Sequence, residues 1–330
     1  MNLENANKIL IIRLSSLGDI LLTTPLVRTV KNLNHKIKID YLVRKEFIDT
    51  LKYNPNIEQV IELERNYKSE VIREIIKAGK YDIIIDVQNN FRSRVLTKGQ
   101  TAQIFRYKKP YLDRWLLVKF KINRFKEIIP IPQRYANSIP DFKLDRNGLE
   151  LFLKDNSQSK IESNDKTIGF CPGSKHQTKM WPENYFIELG NKLIEENYNI
   201  LLFGGKDDKE ICARISTKIS GSINLSNDNE LLELASNMKK CSVIICNDSG
   251  LMHTALSVNL PVIAIFGSTV KEFGFAPYKG KNLVLENNSL SCRPCSHIGL
   301  DKCPKNHLKC MTEIKPNYVY NQTINFLNSL

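Results

Sequence analysis

The chain has 330 residues, 42% of them apolar and 25% charged, enough for two folded domains with a core each. No run of about 18 apolar residues occurs, and the start, MNLENANKILIIRLSS, lacks the basic region, apolar core and small-residue cleavage site of a secretion signal. A membrane-spanning or secreted protein is therefore not expected, and the cytoplasm is the expected location. The net charge of +13 is uneven: residues 1–150 carry 28 Lys and Arg against 17 Asp and Glu, and residues 151–330 carry 20 against 18, so the first half supplies the field that attracts an anionic partner.

Residues 8–14 (KILIIRL) read as a buried strand. After a turn at 15–18, the run 19–31 has helical spacing of Ile20, Leu21, Thr24, Val27 and Val30, with Pro25 expected to kink it near its first turn. Apolar strands follow at 37–43, 60–63 and 83–87, with helical segments such as 69–78 between them, the alternation of a parallel sheet with crossover helices. Residues 89–134 hold 12 basic and 2 acidic side chains, a density suited to a polyanion, an anionic membrane face or a plain solvated surface. They lack a helix-turn-helix, zinc-finger or RNA-binding sheet signature, so nucleic acid is not expected as a partner.

The polar stretch 156–166 reads as a linker between a domain at 1–155 and a second at 167–315. The second repeats the pattern, with strands at 167–170, 200–203, 243–246 and 262–266 and helices near 182–196, 208–219 and 230–238; residues 316–330 form a closing helix. The fold class is α/β, two doubly wound parallel sheets, and ligands of such sheets bind outside the carboxyl ends of the strands.

Four turns fall at those ends. In Ser15-Ser16-Leu17-Gly18-Asp19 the carboxylate stands where a helix begins, so Asp19 is kept ionised and can take a proton from an attacking hydroxyl, or it simply caps the helix. Gly173 and Ser174 fit a tight phosphate-side turn, and Lys179, just ahead of a helix that Pro182 can open, can neutralise a diphosphate or lie solvated. Asp207 and Asp208 follow a Gly-Gly turn, where a carboxylate can accept from a ribose or simply stand on a charged, solvated turn. The fourth turn, Asn-Asp-Ser-Gly-Leu-Met-His at 247–253, joins a strand to a helix and leaves backbone N–H groups free for an anion, with Asp248 and His253 beside Ser249, Gly250 and Leu251; an ordinary helix cap with a satisfied histidine is the plain alternative. Neither a Gly-x-Gly-x-x-Gly fingerprint, a phosphate-binding P-loop nor a Gly-x-Ser-x-Gly elbow occurs at these turns.

Four stretches, RLSSLGDILLTTPLVRTVK at 13–31, DVQNNFRS at 86–93, GSKHQTKMWP at 173–182 and NDSGLMHTALSVNLPVIAIFGST at 247–269, resemble in order and spacing the bacterial lipopolysaccharide heptosyltransferases, glycosyltransferase family nine, with the two-domain GT-B architecture. The resemblance implies that Asp19 is the general base of an inverting transfer of heptose from ADP-heptose to the inner core of lipopolysaccharide. It puts the donor diphosphate against Lys179, Gly173, Ser174 and the backbone at Ser249, Gly250 and Leu251, with His253 nearby. Asp248 is implied for heptose hydroxyls, Asp208 for a ribose hydroxyl, and Gly18 and Arg92 for an acidic, lipid-anchored sugar acceptor at the inner face of the cytoplasmic membrane. No cofactor is implied for the chemistry. A related transferase of another nucleotide sugar, or a noncatalytic nucleotide-sugar or polyanion-binding protein, are the alternatives.

Cys292, Cys295, Cys303 and Cys310, with His297 and His307 interleaved, depart from the rest of this pattern. Four thiolates in 19 positions can hold a structural zinc, although the spacings are looser than in a ribbon or knuckle; free thiols are the other reading.

Overall fold

The computed structural model describes residues 3–154, 166–228 and 230–330, and the linker expected at 156–166 lies, Lys166 apart, outside the described residues. The chain divides into two compact units, Met1–Lys109 with Ile131–Phe152, and Pro110–Pro130 with Leu153–Leu330.

Unit one is a parallel sheet of β1 (Lys8–Ile12), β2 (Lys38–Arg44), β3 (Gln59–Leu63), β4 (Ile83–Asp86) and β5 (Gln103–Arg106) in the order β3-β2-β1-β4-β5. β1 and β4 are near-continuous apolar runs, and β2 is buried from Ile39 to Val43, because helices cover a parallel sheet on both faces. Leu10, Ile12, Leu42 and Ile84 pack in one cluster with Ile72 and Ile76 of the helix Ser69–Ala78. Chain order runs outward from β1 to β3 on one side and from β4 to β5 on the other. The switch point therefore lies between β1 and β4, where doubly wound sheets open a crevice for a ligand.

The run expected as one kinked helix is two, Leu17–Leu21 and Thr24–Leu33. Pro25 is only the second residue of the latter, where its missing N–H has no intrahelical acceptor to lose. Carbonyls freed by the break are taken by hydroxyls, Thr23 Oγ1 donating to Ile20 O at 2.7 Å and Thr24 Oγ1 to Leu21 O at 2.8 Å. The second of these helices is tied to the end of the unit by Arg28, which bonds both oxygens of Asp145 at 2.7 Å and pairs with Glu150 at 2.9 Å.

Unit two holds β6 (Thr167–Cys171), β7 (Asn199–Leu202), β8 (Ile223–Asn224), β9 (Val243–Asn247), β10 (Val262–Phe266) and β11 (Asn282–Glu286), all parallel, in the order β11-β10-β9-β6-β7-β8. Its switch point lies between β6 and β9. Trp181, just ahead of the helix Glu183–Glu195, is buried edge-on to Phe186 with ring centroids 4.9 Å apart, and fixes that helix against the sheet. The C-terminal helix, Pro316–Leu327, packs on the same helix. Among the described residues no helix is long and apolar enough to cross a membrane.

Candidate active site

Asp19 sits at the unit-one switch point. β1 ends at Ile12, the chain turns through Arg13 to Ser16, and the helix Leu17–Leu21 begins with Gly18 buried beneath it. Ser16 N and Oγ donate to Asp19 Oδ2 at 3.3 and 2.9 Å, so Asp19 does cap its helix. Its other oxygen faces inward to Arg13 NH2 at 2.6 Å and Tyr135 OH at 3.4 Å. Arg13 is itself nearly buried, stacked 5.7 Å from the Tyr135 ring centroid and donating to Val87 O at 3.1 Å. Burial works to raise the Asp19 carboxyl, but the Arg13 charge and the Ser16 hydrogen bonds outweigh it and hold the group below the ordinary carboxylate range. The cap and the ionised carboxylate are thus one arrangement rather than alternatives.

A second carboxylate, Asp86, ends β4 at the same switch point, and its environment is the reverse. It is fully buried, accepts from Asn89 N at 2.7 Å and Ser93 Oγ at 2.9 Å, and lies 3.6 Å from Arg106. Burial pushes its carboxyl up despite these partners. Asp86 therefore builds the 86–93 turn, and Asn90 caps the helix Phe91–Leu96 by accepting from Ser93 N at 3.0 Å. Arg92 stands exposed on the first turn of that helix, beside Phe91 at 81% exposure, available to an outside anion.

In unit two the turns after β6 and β9 meet at the switch point. Asn247, the last residue of β9, donates from Nδ2 to Pro172 O at 2.7 Å and accepts from Trp181 N at 3.0 Å, which brings the 172–181 segment alongside Asp248. Ser174 Oγ donates to Asp248 O at 3.4 Å. Lys179 closes the turn Gln177–Lys179 and pairs with Asp248 Oδ2 at 2.7 Å, where Thr269 Oγ1 also donates at 2.7 Å. Both bonds use Oδ2, so Oδ1 is left for a hydroxyl. Next to it Ser249 caps the helix Gly250–Ser257, and the first N–H groups of that helix have no intrahelical acceptor. Ser249 Oγ is buried without a hydrogen-bond partner among the described residues, and Leu251 and His253 are buried behind it. A lysine, an unpartnered hydroxyl and a helix N-terminus in one place form an anion site.

Asp208 reaches the same turn from β7. Its Oδ2 accepts from Gly205 N at 3.1 Å, and burial together with repulsion from Asp207 pushes its carboxyl up. A Cβ on Gly173 would stand 1.9 Å from Asp208 Oδ1, so the turn after β6 can approach this carboxylate only with glycine.

Three groups in these sites are not singled out from the sequence: Arg13 and Tyr135 around Asp19, and Thr269 on Asp248, although Arg13 and Thr269 stand at the ends of two of the stretches that carry the resemblance. Arg293 supports Thr269 from beneath, donating to Gly267 O and Thr269 O at 2.6 and 2.9 Å while paired with Glu286 at 2.8 Å.

The four C-terminal cysteines are free thiols, Cys310 buried and Cys292, Cys295 and Cys303 partly so. Burial opposes ionisation of Cys303, yet backbone N–H groups of Leu308, Lys305, His307 and Asn306 point at its sulfur and hold the thiol below its usual range. Among the described residues no group of three or more His, Cys, Asp or Glu side chains is placed to hold a metal ion.

The model of glycosyltransferase family 9 (heptosyltransferase) matches residues 71–303. The chain is 27% identical to lipooligosaccharide heptosyltransferase 2 of Campylobacter jejuni over 329 residues, spanning 95% of this chain and 96% of that one. Among solved structures, a family 9 glycosyl transferase from Veillonella parvula superposes with a TM-score of 0.80 at 23% identity over 100% of this chain and 99% of its own. The Escherichia coli heptosyltransferase WaaC with ADP-2-deoxy-2-fluoro heptose does so with 0.67 at 20% identity over 96% and 99%. Two doubly wound parallel sheets of five and six strands, matched over nearly the whole chain, give the GT-B fold.

Proposed function

The chain belongs to glycosyltransferase family 9, the heptosyltransferases, and from that premise we propose that it moves heptose from ADP-heptose to an acidic, lipid-anchored sugar of the lipopolysaccharide inner core, inverting the anomeric centre without a divalent ion. The observation that carries the reading is that each sheet presents its charged group at its own switch point, an ionised carboxylate in unit one and an anion cradle in unit two. The bound ligand of the Escherichia coli enzyme supports ADP-heptose as donor.

In the proposed step an acceptor hydroxyl oxygen attacks the anomeric carbon, the bond from that carbon to the diphosphate oxygen breaks, and ADP leaves with the electron pair. Asp19 takes the hydroxyl proton. A carboxylate held below its ordinary range is a weak base towards a free alcohol, so transfer follows carbon–oxygen bond formation, as the hydroxyl becomes strongly acidic. Lys179, the Ser249 hydroxyl and the N–H groups of Gly250 and Leu251 meet the charge gathering on the diphosphate. Asp248 keeps the Lys179 ammonium in place with Oδ2 and offers Oδ1 to a heptose hydroxyl. Asp208, beside Gly173, takes the ribose, and Arg92 and the basic surface around it face acceptor phosphates and carboxylates.

The test is nucleotide release from ADP-heptose, UDP-sugars and GDP-sugars in the presence and absence of a lipid-core acceptor. ADP release that requires the acceptor is the expected outcome. Turnover confined to UDP-sugars removes the heptose assignment, and binding of ADP-heptose with no release under any condition removes the transferase.

A further inference from the structure

Residues 110–130 belong with unit two and are fastened to it, Lys121 Nζ donating to Pro294 O at 2.6 Å and Asn123 Nδ2 to Glu272 Oε1 at 3.2 Å. Within them the helix Tyr111–Phe120 buries only Leu117. Tyr111, Leu112, Trp115 and Val118 follow the i, i+1, i+4, i+7 spacing of one helical stripe, turned away from Leu117. That stripe lines a groove of about 500 Å³ with Arg114 and His297. Among the described residues, six of the fifteen exposed large apolar ones fall in this short stretch: Tyr111, Leu112, Trp115, Phe120, Ile122 and Ile128. Such crowding is not the scatter of single apolar side chains that surfaces ordinarily carry.

The charges beside this patch are mostly positive, five basic side chains to two acidic. Arg114, Lys119, Lys121, Arg124 and Lys126 stand against Asp113 and Glu127, and Asp113 already lies 3.8 Å from Arg124. Two copies of the chain meeting here face to face would oppose these cations to one another. Lipid phosphates would neutralise them while the apolar stripe leaves water, and Tyr and Trp next to Lys and Arg are the side chains that settle at a membrane–water boundary.

We propose that Pro110–Pro130 docks on an anionic phospholipid leaflet, Tyr111, Leu112, Trp115 and Val118 entering the boundary between headgroups and acyl chains and Lys119, Arg124 and Lys126 meeting lipid phosphates. This goes beyond the sugar transfer and does not depend on it, so it is read without donor or acceptor. The chain has two tryptophans, and Trp181 is buried, so a change in emission on adding vesicles reports Trp115. With the full chain and mixed phosphatidylcholine–phosphatidylglycerol vesicles, a blue shift, quenching by lipids brominated along the chain and co-sedimentation that weakens with salt are expected. Pure phosphatidylcholine should bind at least about tenfold less. Tyr111→Ser with Leu112→Ser, and separately Lys119→Glu with Lys126→Glu, change exposed side chains and should each lower the bound fraction about tenfold or more with circular dichroism unchanged. Unchanged Trp emission with anionic vesicles, equal binding to neutral ones, or variants that bind like the parent overturn the proposal. Self-association that the Tyr111→Ser, Leu112→Ser pair abolishes, without vesicle binding by the parent, assigns the face to a second copy instead.

Discussion

Asp19→Asn should lower turnover about 10³-fold while leaving the dissociation constant of ADP-heptose unchanged. The amide keeps the shape and can still accept from Ser16, but it cannot take a proton, and the proposed donor cradle belongs to unit two. The same substitution should cost about 1–3 kcal/mol of stability at neutral pH, because Arg13 is buried and loses its anionic partner. The sign of the pH dependence follows from the depressed carboxyl. Asp19 contributes its stability in full above the ordinary carboxylate value of about 4, and that contribution fades as pH falls through the lower value it has in the fold. Parent and variant should therefore converge only in acid, and the parent's rate should show no acid limb from this group above about pH 4. Arg13→Met removes the charge that holds Asp19 down and should bring such a limb upward in pH. Unchanged turnover in Asp19→Asn would discard the residue as base; turnover and donor affinity lost together would make it a structural cap.

Lys179→Met is the second large effect, with kcat/KM reduced about 10²–10³-fold and ADP bound at least about tenfold more weakly. Methionine keeps much of the side chain's length and removes the ammonium, which takes positive charge from the proposed diphosphate site and leaves Asp248, 4% exposed, with Thr269 as its one remaining side-chain partner among the described residues. Because one substitution breaks both relations, the pair should be strongly non-additive: Lys179→Met with Asp248→Asn should cost less stability than the sum of the two. Calorimetry of ADP binding separates the readings. If Lys179 serves only to neutralise Asp248, stability falls and ADP affinity does not.

The sequence shows the sheets' centres more clearly than their edges. β1, β4, β9 and β10 are dominated by Ile, Val, Leu and Phe because both faces are covered, β4 ends on Asp86, and the turns after β1, β6 and β9 lead to Asp19, Ser174 and Asp248. β5 and β8, four and two residues long, are too short for periodicity to register, and β11, though five residues long, is mostly half-buried and polar at both ends. Pro25 reads equally as a kink or a start until Thr23 and Thr24 are seen taking the carbonyls on its N-terminal side. The site partners were hidden for a different reason. Tyr135 lies 116 residues from Asp19 and Thr269 lies 21 from Asp248, so each contact is made by the sheet order and leaves no local spacing to read. Residues 110–130 could be read for charge, but the chain enters unit two through them and returns to unit one at Ile131, which no composition shift marks.

The anomeric configuration of the transferred sugar tests most directly whether one carboxylate performs a single displacement. With Asp86 buried in its own turn, the proposed mechanism gives the proton transfer to Asp19, the ionised carboxylate of the unit-one switch point, and one bond-forming step at the anomeric carbon. NMR of the glycosylated acceptor should show the configuration opposite to that of the donor. A product that keeps the donor's configuration would require a second displacement and contradict the role given to Asp19.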